Sequence, residues 1–447
     1  MLFNTEIPES PAQQGRTLLD ALPGKRARWL AQLALCYFVS RSFVAKPRLP
    51  DNAMDNLLKW RSQFPILERS TYLINNSLGA MPKGVYPSLE AYADSWAARG
   101  VRAWEEGWWD MAVGVGDQIA PLIGAHPGEI SLHQNVTLTQ AVISSCFDLR
   151  GPRNKIVMVD LEFPSVQYFY HEQIRNGART EIVPSTDNIR FDLQKFLAAI
   201  DRTTLLVPIS LVLFRSSYIV NARAIIERAH QVGAHVILDV FQGTGVLPID
   251  VHELRVDFAV GGVLKWLCGG PGVAYLYVRE DLRTTLRPAL TGWLAHQRPF
   301  AFETGAIHRR QDSFGFLNGT PHIPALYACR PGLEILHQVG VPAIREKSMR
   351  MTARLFDGAK SRGWRVNTSE NPAERAGTIS IDCPHAAEVC QELLAREILV
   401  DYRPKAGVRI SPHFYNREEE CDFALDQIAE ILRTGAWKKH AAQTAMN

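Results

Sequence analysis

Short apolar runs alternate with amphipathic stretches through the middle of the chain. Residues 130–133, 155–159, 205–209, 235–238, 257–260 and 273–278 are mostly apolar and bounded by Gly, Pro or polar residues. These are strand candidates. Between them, residues 139–147, 165–176, 192–199 and 222–232 carry the spacing of amphipathic helices. Strand and helix in alternation predict an α/β fold with a parallel sheet. Right-handed crossovers bring the carboxyl ends of such strands to one edge, where open α/β sheets bind ligands. Asn135, Phe163, Ser210 and Asp239 all follow strand candidates at that edge. One site assembled from several loops is therefore expected.

Upstream, residues 86–115 read as a helix dense in tryptophan, with Trp96, Trp104, Trp108 and Trp109. Aromatics at that spacing suit a core or a subunit interface better than a ligand cage. After Gly319 the texture changes. Residues 324–362 read as one long helix or two broken ones, followed by strand candidates at 378–382, 398–401 and 407–410. Helix candidates at 386–396 and 418–433 accompany them. The organisation expected is an extension over 1–53, a large domain over 54–325 and a smaller α+β domain over 326–447. The segment 54–70 is a candidate to pack on the smaller domain. Within the extension a helix is expected across 24–44, and Met54 is a candidate internal start.

Composition narrows the classes. The chain has 447 residues, 46% hydrophobic and 21% charged, as in ordinary globular proteins. A net charge of +3 argues against a nucleic-acid or membrane footprint. The seven cysteines are scattered, with no C-x-x-C pair, so reduced thiols in a cytoplasmic protein are expected and a zinc site is not.

Candidate chemistry centres on residues 235–278. Asp239 ends one apolar run, and Lys265 follows another, among Val263, Leu264, Trp266 and Leu267. Apolar surroundings lower a lysine pKa and make its neutral, nucleophilic form accessible. Such an amine can hold an aldehyde cofactor as a Schiff base, and a strand-end acid suits a pyridinium nitrogen. The pair points to pyridoxal 5'-phosphate. Taken alone, each residue has a plainer reading, a snorkelling lysine and a loop acid. Asn135-Val136-Thr137 stands where a strand turns into a helix, which suits a phosphate cradle or a simple helix cap. Phe163 could stack on a planar ring or belong to the core. Gln242, three residues after Asp239, could bond the cofactor or be a turn residue. Arg409 sits inside an apolar strand and needs an anion, either a substrate carboxylate or a salt-bridge partner.

The motifs Tyr72-Leu-Ile-Asn-Asn-Ser-Leu-Gly, Phe163-Pro-Ser165, Gly269-Gly-Pro-Gly, Gly292-Trp-Leu-Ala-His and Val408-Arg-Ile-Ser-Pro-His-Phe-Tyr-Asn stand in an order worth comparing. The chain resembles fold-type I pyridoxal-phosphate enzymes of the class V aminotransferase superfamily, and among them it is most similar to kynureninases. The resemblance covers roughly residues 70–430. It implies a mainly parallel, seven-stranded large domain. It implies that Lys265 carries the Schiff base and that Asp239 keeps the pyridine nitrogen protonated. Phe163 would stack on the ring, Val136 and Thr137 would meet the phosphate, and Ser165 and Gln242 would complete the cofactor contacts. Arg409 would take the substrate α-carboxylate, with Asn76 and Ser77 beside the substrate. Trp293 and Thr320 would reach the cofactor of a neighbouring subunit, so a homodimer is implied.

Three positions depart from the kynureninase pattern. Leu264 stands where a Tyr is usual, Val166 replaces an Asp, and Gln242 replaces a His. A missing general acid matters, since such groups contribute about 10²–10⁴-fold. Tyr275, His296 or a water could substitute. Hydrolytic Cβ–Cγ cleavage of a kynurenine-type amino acid is the first functional expectation. Transamination, β-elimination (lyase or desulfurase) and epimerisation are the alternative, and a non-catalytic dimeric scaffold is the remote one.

Overall fold

The computed structural model describes residues 55–441. The helix expected across 24–44 lies outside those residues. Seven strands form the main sheet: β1 (Ile130–His133), β2 (Lys155–Val159), β3 (Arg179–Val183), β4 (Thr204–Ser210), β5 (His235–Asp239), β6 (Phe258–Gly262) and β7 (Ala274–Val278). Their order is β1-β7-β6-β5-β4-β2-β3. β7 runs antiparallel to both of its neighbours, and the remaining pairings are parallel.

Alternation along these strands divides the interior into two cores. Val157, Val159, Val207, Ile209, Val236 and Leu238 face one. Ile156, Met158, Leu206, Ile237, Phe258 and Val260 face the other. Six strands lie within a residue or two of their expected positions. The seventh, β3, escaped notice because it is an edge strand with Arg179, Glu181 and Ile182 exposed. Exposed residues at a sheet edge leave no apolar run to detect.

Helices follow the strands at positions fixed by local chemistry. α1 (Val85–Arg99) and α2 (Trp108–Ile119) replace the single helix expected over 86–115. Gly100 at φ +56° and Gly107 at φ +149° break it, conformations that glycine adopts at low cost. α3 (Val136–Ser144) begins at Asn135, whose side chain accepts the Leu138 N–H at 2.9 Å. α4 (Pro164–Glu172) opens on a proline, and α5 (Leu193–Ala199) is capped by Asp192. α6 (Ala222–Val232) precedes β5, and a four-residue helix, Val251–Leu254, capped by Asp250, lies between β5 and β6.

Residues 324–362 form two helices, α7 (Ile323–Val339) and α8 (Val341–Ser361), parted at Gly340. The boundary expected at 325/326 falls in the first turn of α7. Beyond lies a four-stranded antiparallel sheet in the order β10-β11-β9-β8, from β8 (Arg365–Val366), β9 (Ile379–Asp382), β10 (Asp401–Arg403) and β11 (Gly407–Ile410). With α9 (Ala386–Ala395) and α10 (Glu418–Thr434) it encloses its own core, including Met351, Leu355, Ile379, Val408, Leu425 and Ile428. Residues near the start of the described chain are bonded to this part. Thr71 and Tyr72 pair with Ile398 and Leu399, and Arg61 forms an ion pair with Glu420 at 2.8 Å. No helix among the described residues is long and apolar enough to cross a membrane.

Candidate active site

A cavity of about 350 Å³ opens at the carboxyl ends of β4, β5 and β6. That is within the range of small-molecule sites. Ten of the twelve residues expected at the site line it: Asn76 and Ser77, Val136 and Thr137, Phe163 and Ser165, Asp239 and Gln242, and Lys265 with Arg409. Trp293 and Thr320 do not. Trp293 packs in an aromatic cluster with Trp109, Phe300 and Phe302, and Thr320 is exposed. Gly319 and Pro321 line a separate cavity of about 240 Å³.

The loop after β6 presents Lys265. Its turn is held by the Cys268 N–H on Lys265 O at 3.0 Å and by the Gly269 N–H on Val263 O at 2.9 Å. The Gly79 N–H donates to Leu264 O at 2.8 Å, so the turn at 75–81 is laid against the lysine. Only glycine permits this approach, since a Cβ at Gly79 would run into Lys265 O and stand 2.9 Å from Cys268 Cα. Lys265 Nζ lies 4.2 Å from the Phe241 ring centre and 5.7 Å from that of Phe163. Burial among these walls lowers its pKa to about 8, against the opposing charge of Asp239. The nucleophilic amine is thus within reach near neutral pH.

Asp239 ends β5 beside Ser210 of β4. Burial raises its pKa to about 6, and a hydrogen bond from the Phe241 N–H to Oδ1 at 2.9 Å, with the charge of Lys265, works against that rise. It stays ionised at neutral pH and can pair with a protonated ring nitrogen. Behind it Glu162 accepts the Ser210 N–H at 2.9 Å and the Ser210 hydroxyl at 2.5 Å. Burial raises Glu162 to about 8, so it adds little negative charge at pH 7.

At the opposite wall α3 begins. Its first N–H groups, at Val136 and Thr137, have no carbonyl to bond within the helix, as at any helix start, and they border the cavity. Such a terminus suits a phosphate. A lysine, a carboxylate, an aromatic face and a helix start therefore stand around one cavity, and this donor set fits pyridoxal 5'-phosphate.

Two expected contacts are differently engaged. The Gln242 amide donates to Asn76 O at 2.9 Å and accepts from Trp266 Nε1 at 3.0 Å, which turns it into a brace between the turn at 75–81 and the lysine loop. Arg409 is 3% exposed and forms a bidentate pair with Asp401, Nε to Oδ1 at 2.7 Å and Nη2 to Oδ2 at 2.5 Å. Its Nη1 donates to Phe214 O at 2.6 Å. Of the two partners open to Arg409, the salt bridge is present. Leu264 and Val166 both line the cavity, so neither position returns a hydroxyl or carboxylate to it. Tyr275 is buried with its hydroxyl 2.6 Å from Thr244 Oγ1, and His296 lies 3.5 Å from Glu303; neither borders the cavity. Arg403, Phe214 and Phe241 line it and were not singled out from the sequence. Phe214 and Phe241 stand in turns just after strands and Arg403 ends β10, so their place at the cavity depends on the fold.

The aminotransferase class-V family model matches residues 71–423. The chain belongs to that family. It is accordingly a pyridoxal-phosphate-dependent enzyme, and the mixed seven-stranded sheet is the fold of that class. Its relatives include a kynureninase of Bacillus thuringiensis subsp. konkukian, 31% identical over 86% of this chain and 94% of that one. An uncharacterized aminotransferase of Bacillus subtilis, YcbU, is 29% identical over 83% and 97% respectively. Among solved structures, the apo cysteine desulfurase of Thermococcus onnurineus NA1 superposes with a TM-score of 0.75 at 22% identity, covering 88% of this chain and all of that one. The cystine C-S lyase C-DES gives 0.73 at 20% identity, covering 82% and 99%. At these identities the structures report the fold alone.

Proposed function

We propose that this class V enzyme acts on the α-carbon of an amino acid and that the bond broken is Cβ–Cγ, by hydrolysis of a kynurenine-type side chain. The observation that carries the first half is the placement of Lys265 and Asp239 on one cavity, with burial lowering the lysine to about 8. When bound, pyridoxal phosphate supplies an electron sink for the pair released at the α-carbon. Asp239 would balance the charge of the ring nitrogen, Phe163 would offer a stacking face, and the start of α3 would receive the phosphate. Lys265 Nζ takes the α-proton. The substrate carboxylate goes to the corner formed by Arg409, Asn76 and Ser77. The second half is supported by the kynureninase relatives, which match nearly end to end.

Leu264 favours a second reading, transamination or β-elimination, because neither needs an acid beside the lysine to activate water on a ketone. We further propose a homodimer in which Trp293 and Thr320 reach the partner's cavity, since neither serves its own.

Incubation with L-kynurenine, L-alanine and L-cysteine separates these readings. Anthranilate formation, lost in Lys265→Ala together with the near-visible absorbance of the cofactor, is the expected result. A spectrum that responds to alanine or cysteine while kynurenine yields no anthranilate would replace hydrolysis by the second reading. Full activity in Lys265→Ala would remove both.

A further inference from the structure

Far from the active cavity, α8 carries a polar stripe along one edge of its buried face. Arg345, Ser348, Thr352 and Phe356 are spaced three and four residues apart and so share one side of the helix. Against that side lie the turn Pro372–Glu374 and the residue that ends it, Arg375. Pro372 O joins the two: the Arg375 N–H donates to it at 3.4 Å, and Arg345 Nη2 stands 3.5 Å from it. The Arg375 guanidinium carbon lies 4.6 Å from the centre of the Phe356 ring.

Four buried polar atoms in this seam find no hydrogen-bond partner among the described residues: Arg345 Nη1, Ser348 Oγ, Arg375 Nε and Arg375 Nη1. Ser348 is 2% exposed and Arg375 3%. A ring face meets the plane of a guanidinium and leaves the N–H groups at its edge unbonded. Neighbouring acids do not answer them. Glu374 accepts from Ser369 Oγ at 2.7 Å, and Glu346 pairs with Arg350 at 3.0 Å. Asp357 is exposed and attracts Arg375 from beyond ion-pair distance. Burial and the charge of Arg375 both push Arg345 below its ordinary pKa, and burial does the same to Arg375. Both remain cations, since a guanidinium stays protonated far above neutral pH. Two like charges largely out of water, with N–H bonds unmade, are costly, and an anion between them offsets both penalties.

We propose that Arg345, Ser348 and Arg375 form a binding site for one small inorganic anion of chloride's size. A water molecule can accept from these donors but leaves the paired positive charge uncompensated. The donors border neither cavity described above, and a ligand enclosed between a helix and a turn is limited to a few atoms. The turn is also stitched to the large domain, with the Ala376 N–H on Ser217 O and the Ile219 N–H on Glu374 O, both at 2.9 Å. An anion held here would tie α8 to the segment that follows Phe214, a residue of the active cavity.

The test uses the full-length holoenzyme, with thermal midpoints compared in sodium chloride and sodium gluconate at equal ionic strength, gluconate being too large for the site. Arg375→Met keeps an apolar stem against Phe356 and removes the donors, and Arg345→Met does the same on the helix side. On exchange of gluconate for chloride, the wild-type midpoint should shift upward by about 2–5 °C relative to both variants, which share any general salt effect. Both variants should keep the absorbance of the bound cofactor. Crystals soaked in bromide should show an anomalous peak between Arg345 and Arg375. Equal chloride shifts in wild type and variants overturn the proposal, as does bromide that binds elsewhere and not at this seam. If one variant fails to fold, the other and the bromide peak still decide.

Discussion

Replacing Asp239 with Asn tests how the cavity sets the state of Lys265. Burial lowers that amine from 10.5 to about 8, and the Asp239 charge is the largest opposing influence. At pH 7 a pKa of about 8 leaves about one amine in ten neutral, against about one in three thousand for an ordinary lysine. The cavity therefore raises the nucleophile concentration by roughly 300-fold. Asp239, pushed up to about 6 by burial, is ionised throughout the range where Lys265 titrates. Asn keeps the shape and the acceptor for the Phe241 N–H and removes only the charge. The Lys265 midpoint should then fall below that of the wild type. The assay is the rate at which cofactor absorbance grows when pyridoxal phosphate meets cofactor-free protein across a pH series, corrected with Nα-acetyl-lysine for the aldehyde's own ionisations. Wild-type rates should rise with a midpoint near 8. A wild-type midpoint near 10 would refute the role of burial, and a variant midpoint at or above the wild-type value would refute the role of Asp239.

Two further outcomes follow from packing and ion pairing. Gly79→Ala forces a Cβ into backbone of the lysine loop, at Lys265 O and 2.9 Å from Cys268 Cα, so urea unfolding should show a loss of about 1–3 kcal/mol. An unchanged midpoint would mean that the two loops can part freely. Asp257 is 1% exposed and is approached by His230, His235, Arg279 and the Val236 N–H. Burial alone would raise its pKa, but the hydrogen bonds from His230, His235 and Val236 outweigh it and hold the group well below the carboxylate range. A carboxyl depressed in the folded state contributes stability above its unfolded pKa of about 4 and loses it as pH falls toward the folded value. Asp257→Asn should therefore be less stable at pH 7 by about 3–5 kcal/mol, with the gap to wild type narrowing below about pH 4. A gap that is constant with pH would show that the charge of Asp257 is not what matters.

Much of the site was legible in the chain itself because parallel-sheet geometry converts a linear pattern into a place. Apolar runs marked β2, β4, β5, β6 and β7, and their carboxyl ends had to gather at one edge. Phe163 and Asp239 follow two of those ends, Lys265 stands in the loop after a third, and Val136 and Thr137 open a helix at that edge. Local composition also marked Asn135 as a candidate helix cap, whereas the cap at Asp192 and the break at Gly340 came from the structure. Tertiary structure decided the rest. Arg403 reads in sequence as a polar residue near a Pro-Lys-Ala-Gly turn, and only the hairpin register sets it beside Asp401 and opposite a glycine. Whether Arg409 met a substrate or a neighbour depended on where Asp401 lay across the strand. Gln242 had a hydrogen-bonding amide in any conformation, but its partners, Asn76 and Trp266, come from segments 166 and 24 residues away. The edge strand β3 carries no apolar signal because it has little to bury. Period and composition record which face of an element is buried; the partner of a polar group is set by contacts between segments, which no single stretch of sequence contains.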